Sequence, residues 1–522
     1  MDYDTSLSGT SALTDAPGPP GRSLGRGTLV GIHALLLMAS FAMAGLAPTA
    51  LSRGFMAVAV LLASTVLVLH IVYHLTNAGK VNWLSIDVLF MLGYFAVHFS
   101  YPLFWVLGLV PSSPKIWISE DVVGRGTCYA LIGYILFSTG YMLLADRNAH
   151  PNWGRAYFDP ETLRRWKRVG WVWTILGFIT LSVYVKLAGP ALIAGQYEGS
   201  GVGSYAARVV HIGMEVFLRT GLVIVSISAA LLTGKLKVGW VVKVGLLLLV
   251  GWLLVLGDRS LAVSLAMFMV VCYAEYVRRI SLKVLIPLII AGLFVMSVVR
   301  IARHHEQRSV GAVVDVATSG TDEIGIQAGL MNFGASVRTL YASLVAVPSQ
   351  YPYFKGTLKI SGTMGIIPFS RRLLPARMQF INSARLLTWW INRGNMTSGT
   401  GTTVAADLYC DWGLPGIMIG MLLLGLLAKR IQQKARATPS FTWAVVHMSA
   451  IPWFMIMSRY SVTQLVRGLL WPALTVIILS ALLRIPRFAT QYDDGEDDDL
   501  YDEAYDEPEA YDDACETVPT GG

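Results

Sequence analysis

Basic residues concentrate in one long segment between two apolar stretches of this chain. Eleven Lys and Arg lie between Arg300 and Arg393, and the segment begins with the sequence VVRIARHHEQRSVG. Arginine presents a planar fork of donors that matches the oxygens of phosphates and carboxylates. The arginines Arg300, Arg303 and Arg308 therefore predict a site for a phosphate-bearing ligand. The alternative interpretation is that they contact lipid headgroups.

Three more arginines lie in or beside apolar stretches, far apart in the sequence. They are Arg219, Arg259 and Arg459. Charged side chains within membrane spans are rare and usually functional. Arg219 follows Glu215 by four residues, so the two share one helix face and can pair, either for packing or for function. Together with Arg300, these arginines predict convergence on one diphosphate.

Candidate proton acceptors lie close to these arginines. His304 is adjacent to Arg303, and a histidine is well suited to accept a proton near neutral pH. Two adjacent histidines such as His304 and His305 are, however, more often surface residues than catalysts. Asp407 is a second candidate base. Asp87 and His98 fall in an apolar stretch, where we expect Asp87 to be structural and His98 to be a hydrogen-bonded core residue.

Other kinds of site find no support in the sequence. It contains no GxxxxGK[ST], no GxGxxG opening a helix and no HExxH. The four cysteines are scattered, and no Cys/His cluster has metal-ligand spacing. We therefore expect no metal, no cofactor, no soluble nucleotide site and no nucleic-acid partner, and instead a donor that already resides in the membrane.

The elements that must position these residues are membrane helices. The 522-residue chain is 54% hydrophobic and 14% charged, with a mean hydropathy of +0.55, values typical of a polytopic membrane protein. A spanning helix needs about 20 apolar residues. We predict an all-α fold with about twelve spans near 27–48, 55–75, 86–109, 127–144, 169–187, 209–232, 244–257, 261–277, 284–302, 414–428, 441–457 and 469–483.

The distribution of Lys and Arg predicts the orientation. Basic clusters fall on the cytoplasmic side if both termini are cytoplasmic. Segment 303–413 then becomes one long extracytoplasmic loop, and its apolar stretches LYASLVAV, ISGTMGIIPF and LTWWI predict short helices at the membrane surface. Residues 27–487 form the transmembrane domain. Residues 1–26 and the acidic tail 488–522 are expected to be disordered and cytoplasmic.

One motif resembles a known family. The segment TSGTGTTVAADLYCDWGLPGIMIGMLLLGLL contains Asp407, Tyr409, Trp412, Gly413 and Gly416 at the spacing [ED]-x-Y-x-x-[FW]-G-x-x-G. This pattern resembles bacterial O-antigen and related oligosaccharide repeat-unit polymerases of the Wzy type. The upstream segment VPSQYPYFKGTLKISGTMGIIPFSRRLLPAR and the GDRS turn are similar to other parts of that family.

The resemblance implies a reaction and its surroundings. A polymerase of this type, with a fold broadly of the polyprenyl-linked glycosyltransferase type, joins undecaprenyl-diphosphate-linked oligosaccharides at the outer face of the inner membrane. Arginines stabilise the departing diphosphate without a metal; here Arg259, Arg300, Arg303 and Arg459 would do so, with His304 or Asp407 as base. A chain-length regulator, a flippase and the lipid bilayer are the implied partners.

Two other functions share part of this pattern. An O-antigen ligase would use the same leaving group and similar loops. A transporter or flippase of lipid-linked oligosaccharides would also bind the diphosphate, but it would show repeated halves and polar residues at mid-membrane depth. The downstream motif favours the polymerase over both.

Overall fold

The computed structural model describes most of the chain between residues 25 and 491. The described ranges are 25–79, 81–144, 156–189, 205–236, 240–256, 259–278, 280–302, 326–366, 370–373, 382–395, 399–488 and 490–491. The predicted disorder of 1–26 and 488–522 falls almost entirely outside them.

The first half of the chain forms ten helices within these ranges. They are α1 (Arg26–Gly45), α2 (Arg53–Ala78), α3 (Ile86–His98), α4 (Ser100–Val106), α5 (Pro114–Trp117), α6 (Glu120–Leu143), α7 (Pro160–Ala188), α8 (Tyr205–Thr233), α9 (Trp240–Leu256) and α10 (Arg259–Tyr276).

The second half adds eight helices and two short 3₁₀ turns, Ala335–Val337 and Ser370–Leu373. The helices are α11 (Leu282–Ala302), α12 (Ile326–Gly334), α13 (Arg338–Ala346), α14 (Thr357–Met364), α15 (Ser383–Ile391), α16 (Val404–Ala437), α17 (Phe441–Met457) and α18 (Val462–Leu483). The strand pairing in the described residues is one antiparallel two-residue ladder, β1 (Ala156–Tyr157) with β2 (Thr490–Gln491), and one isolated bridge, Ser440 with Phe488.

The chain is a helical, multi-pass membrane protein. Seven of the described helices (α1, α2, α6, α7, α8, α16 and α18) are long and apolar enough to cross a membrane, and α3 with α4, bent by 49°, makes an eighth. Each of the twelve predicted spans overlaps a helix, but α10, α11 and α17 offer only shorter apolar lengths. The prediction of a helical membrane fold is confirmed, while the count of twelve stays a prediction.

Local sequence signals set where several helices begin. Ser52, Asp159, Asn382 and Thr403 each accept a hydrogen bond from a backbone N–H in the first turn of the helix that follows. Such caps satisfy donors that a helix leaves without partners at its start. Pro160 at the first position of α7 is also favourable there, because its missing N–H would have no helical partner.

Helices α6 and α16 cross closely at the centre of the bundle. A Cβ on Gly140 would overlap the carbonyl of Leu422, and one on Gly425 would overlap the carbonyl of Phe137. Small residues permit this approach of two helix backbones in a membrane. The crossing fixes α16, whose first turns carry the family-like motif.

We expect Gly425→Ala to destabilise the protein, because the new methyl group would push α6 and α16 apart at a cost of about 1–3 kcal/mol. The matched control is Gly245→Ala in α9, where a Cβ meets nothing within 4 Å. Since alanine is the better helix former, this control should be neutral or stabilising. Thermal unfolding of both variants in detergent tests the prediction, and equal midpoints would contradict it.

The helix bundle has two opposite ends, which we call the Arg459 end and the Ser440 end after residues in the turns there. The Arg459 end is where α17 finishes and α18 begins, and the Ser440 end is where α16 finishes and α17 begins. Helices α12 to α15 and the first turns of α16 lie at the Arg459 end. The three apolar stretches that were predicted to form short helices correspond to α13, α14 and α15, which confirms their helical structure.

Candidate functional site at the Arg459 end

Gly413 divides α16 into two helical segments. Its φ of 66° and ψ of −148° interrupt the helix between Trp412 and Leu414. An L-residue with a side chain rarely adopts such a conformation, whereas glycine does so readily. A Cβ on Gly416 would lie 2.5 Å from the carbonyl oxygen of Leu408, so this second motif glycine allows the two segments to meet.

The interrupted helix end is completed by the loop before α14. The N–H of Phe354 donates to the carbonyl of Cys410 at 3.1 Å, and the N–H of Lys355 donates to the carbonyl of Asp411 at 2.8 Å. Carbonyls at a helix end need such partners. The motif segment 404–412 and the residues around 354–356 therefore form one structural unit.

Asp407, Asp411 and Lys359 form a buried ionic cluster in this unit. The Lys359 ammonium lies 2.9 Å from Asp407 Oδ2 and 2.8 Å from Asp411 Oδ2. Burial disfavours the Lys359 ammonium, but attraction by Asp407 and Asp411 outweighs it, so the pKa of Lys359 lies above its usual value. Lys359 is therefore held charged between two carboxylates.

Asp407 joins three further elements of the Arg459 end. Its Oδ1 accepts a hydrogen bond from the Ser383 hydroxyl in α15, and its Oδ2 accepts one from the Val462 N–H at 3.0 Å. Val462 is the first residue of α18, where a carboxylate also interacts favourably with the helix dipole. Asp407 is 2% exposed, and it connects α14, α15, α16 and α18.

Tyr409, the aromatic residue of the motif, lies in a cluster of tyrosines. Its ring centroid is 6.0 Å from those of both Tyr129 and Tyr353. Tyr353 also packs over Gly413, where a Cβ would lie 2.9 Å from its hydroxyl oxygen. Tyr409 and Gly413 are thus both held by Tyr353.

Arg338 and Arg459 lie close together at this end. Burial and repulsion by Arg459 lower the pKa of Arg338. The Arg459 guanidinium carbon lies 5.4 Å from the centroid of the Phe333 ring, which orients it. Within the described part of the chain, no carboxylate forms a salt bridge with Arg338. Two half-buried guanidinium groups that repel each other would be stabilised by an anion between them.

Arg219 and Glu215 line one cavity about one to two helical turns inside the Arg459 end. Glu215 forms a salt bridge with Arg467 of α18, and the Arg219 guanidinium carbon lies 4.5 Å from the centroid of the Trp453 ring. The shared face of Glu215 and Arg219 is confirmed. The sequence did not predict that Glu215 pairs with a residue of α18.

The other predicted arginines are only partly described. Arg259 begins α10, and Arg300 lies in the last turn of α11. Their side-chain positions, and all of Arg303, His304 and Arg308, lie outside the described residues. The convergence of four arginines on one diphosphate therefore stays a prediction.

Sequence reasoning did not single out Arg338, Lys359 and Ser383. Arg338 and Lys359 were two of eleven basic residues in one segment, and nothing in their spacing marked them. A possible signal for Lys359 was the spacing of Asp407 and Asp411, which places two carboxylates one helical turn apart and requires a nearby cation if they are buried.

A second polar cluster lies at the Ser440 end. His70 and His74 of α2 both contact Oδ2 of Asp87 in α3, at 2.8 Å and 2.5 Å. The ligand atoms of these three residues lie within 4.8 Å of one another, so they could hold a metal ion. The prediction that no Cys/His cluster has metal-ligand spacing is therefore wrong, because His70 and His74 are four residues apart on one helix and offer that signal in the sequence.

The predictions for the third span are half right. Asp87 is fully buried in the first turn of α3 and is hydrogen-bonded, in agreement with a structural role. The expectation that His98 is hydrogen-bonded is wrong: within the described residues both of its ring nitrogens are buried without a partner. Its ring instead stacks near Tyr94, with the centroids 4.2 Å apart.

Comparison with known proteins gives one result. The family model for O-antigen polysaccharide polymerase Wzy matches residues 31–491, almost the whole of the chain between its termini. Neither the curated proteins nor the solved structures give a significant match.

Proposed function

Since the chain belongs to the O-antigen polysaccharide polymerase Wzy family, we propose that it is a glycosyltransferase that extends a polysaccharide on a polyprenyl diphosphate. Family membership makes it an O-antigen polysaccharide polymerase, and we propose that it acts on lipid-linked oligosaccharide repeat units. The finer proposal is that undecaprenyl diphosphate is the carrier and that arginines stabilise this diphosphate as it leaves.

The observation that carries the proposal is the pair of guanidinium groups at Arg338 and Arg459. Their mutual repulsion is relieved by an anion, and a diphosphate offers oxygens for both forks. Charge-assisted hydrogen bonds of this kind strengthen as negative charge develops on the leaving group. Arg219, Arg259, Arg300, Arg303 and Arg308 are proposed to complete the diphosphate site.

The proposed reaction transfers the growing glycan to the next repeat unit. A hydroxyl of the incoming repeat attacks the anomeric carbon of the growing chain, and a new C–O bond forms. The bond from that carbon to the diphosphate oxygen breaks, so the polyprenyl diphosphate leaves with the bonding electrons. The hydroxyl proton passes to a base.

His304 is our first candidate for this base, and Asp407 is the second. The Asp407 carboxylate already accepts from the Ser383 hydroxyl, the Val462 N–H and the Lys359 ammonium, so both of its oxygens are engaged by neighbouring protein groups. We therefore assign Asp407 primarily to positioning the loop helices.

The topology of the proposal places this reaction outside the cytoplasm. We propose twelve spans in the inner membrane, with both termini cytoplasmic and the Arg459 end outward. Loop 303–413 is then extracytoplasmic, and residues 1–26 and 488–522 flank the transmembrane domain 27–487. A flippase that delivers repeat units and a chain-length regulator are the proposed partners.

A deletion strain separates the proposed polymerase from the alternatives. We expect loss of the polymer ladder on a glycan gel, with a single repeat unit still attached to its acceptor, and restoration of the ladder by the wild-type gene. Loss of all attached glycan would instead indicate a ligase or a flippase and would contradict the proposal.

A further inference from the structure

At the Ser440 end of the bundle, a series of hydrogen bonds leads from the Leu29 carbonyl to the Asp87 carboxylate. His33 Nδ1 lies 2.8 Å from the Leu29 carbonyl, and His33 Nε2 lies 2.9 Å from Ser138 Oγ. Ser138 Oγ is also 2.9 Å from His70 Nδ1, and His70 Nε2 is 2.8 Å from Asp87 Oδ2. Each of these four contacts needs one hydrogen atom.

Neutral His33, the Ser138 hydroxyl and neutral His70 together supply only three hydrogens for these four contacts. The Leu29 carbonyl can only accept, so His33 Nδ1 carries a hydrogen and neutral His33 Nε2 accepts from the Ser138 hydroxyl. Ser138 must then accept from His70 Nδ1–H. Neutral His70 is left with a lone pair on Nε2 that faces the Asp87 carboxylate. Either an additional proton or a metal cation is therefore needed between these two atoms.

We infer that His70 Nε2, His74 Nε2 and Asp87 Oδ2 bind one divalent metal ion of the zinc type, at a site separate from the Arg338–Arg459 pair. Two imidazole nitrogens and a carboxylate oxygen, with one position left for water, form a donor set that Zn²⁺ accepts. His70 and His74 are one helical turn apart on α2, so both ring nitrogens reach one point.

Two histidines on one carboxylate oxygen favour a metal over a proton. One excess proton would engage only His70 and Asp87, whereas a metal ion would also bind His74, whose Nε2 lies 2.5 Å from the same Oδ2. A zinc ion at about 2.0–2.1 Å from each ligand requires the His70–Asp87 contact to lengthen by roughly 0.5 Å and the His74–Asp87 contact by roughly 0.9 Å. Metal binding at this site therefore requires the three side chains to rotate.

Neighbouring side chains hold the ligands as they do in known metal sites. Gln432 of α16 donates from Nε2 to Asp87 Oδ1 at 2.9 Å, and the Tyr141 hydroxyl donates to Gln432 Oε1 at 2.6 Å. The Ser138 contact fixes the His70 ring in the same way. Such outer contacts orient ligands and determine which ring nitrogen binds the metal.

The positive charge of Lys429 near the three ligands can be removed to test metal binding. Lys429 of α16 lies 4.6 Å from the Tyr141 ring centroid and donates to the Tyr73 hydroxyl, so its positive charge opposes a bound cation. The His74 side chain is 13% exposed, which gives an ion a route to the otherwise buried site. Among the described residues, the titratable groups around the three ligands are His33, Tyr73, Tyr141 and Lys429.

Metal analysis of the purified full-length protein tests the site. We expect about one zinc per chain and its loss in His74→Ala and Asp87→Asn. Zinc should be retained in the control His211→Gln, because His211 lies in α8, where its ring packs against Tyr184. Cobalt added to metal-free protein should give the visible absorption of a tetrahedral site. Lys429→Met should tighten Zn²⁺ binding roughly tenfold by removing a nearby positive charge.

Size-exclusion elution distinguishes a misfolded ligand variant from a folded variant that has lost its metal. Cobalt titration of the wild-type protein tests the site without any variant. If the wild-type protein contains no metal and binds neither added Zn²⁺ nor added Co²⁺, the fourth hydrogen is an excess proton and the inference is wrong. Because the readout is metal content, this result would leave the proposed polymerase activity unaffected.

Discussion

Arg459→Ala is expected to reduce polymer formation about 100- to 1000-fold, with little change in the amount of folded protein. Removal of one preorganised donor from a developing negative charge typically costs this much in rate. Arg338→Ala should have an effect of similar size, because the two guanidinium groups are proposed to bind the same diphosphate. The glycan ladder and the rate of repeat addition in membranes are the measurements.

The matched control for this pair is Arg393→Ala. Arg393 belongs to the same basic segment, but its side chain is exposed. We expect the control to keep the full ladder. If Arg459→Ala and Arg338→Ala, expressed at wild-type levels, also kept it, the guanidinium pair would not be part of the diphosphate site.

Lys359→Met is expected to destabilise the protein by about 3–5 kcal/mol, because it leaves the buried carboxylates of Asp407 and Asp411 without their cation. The polymer should be lost together with the folded protein. Thermal unfolding in detergent measures the first effect, and the glycan gel measures the second. Lys355→Met is the control, since Lys355 lies four residues earlier and its side chain is exposed.

A second substitution separates the electrostatic cause from a general defect. Adding Asp411→Asn to Lys359→Met removes one uncompensated charge, so the double variant should be more stable than Lys359→Met alone. This non-additivity is the expected sign of two groups in direct contact. If Lys359→Met unfolds at the same temperature as Lys355→Met, the ionic cluster does not stabilise the Arg459 end.

The sequence predicted the helices better than the contacts between them. Long apolar stretches identify membrane helices because each must satisfy its backbone internally and face lipid, and all twelve predicted stretches overlap helices. The motif from Asp407 to Gly416 likewise marked the correct segment. Its glycines, however, act through contacts with Tyr353 and Leu408 that only the folded chain brings together.

Pairings between distant segments could not be predicted in the same way. Lys359 contacts Asp407 at a sequence separation of 48 residues, and Gln432 contacts Asp87 at a separation of 345. A single sequence carries periodicity along one helix but no record of which helices become neighbours. For that reason the pairing of Glu215 with Arg467 was missed, although the shared face of Glu215 and Arg219 was correctly predicted.

The helix break at Gly413 has a consequence for how related polymerases can exchange parts. The carbonyls of Cys410 and Asp411 are satisfied by backbone groups of Phe354 and Lys355, which lie more than 50 positions earlier. A chimera that imports the motif segment without residues 353–364 would therefore inherit a mismatched helix end. Recombination that preserves function should cut outside 353–416, so that both segments come from one parent.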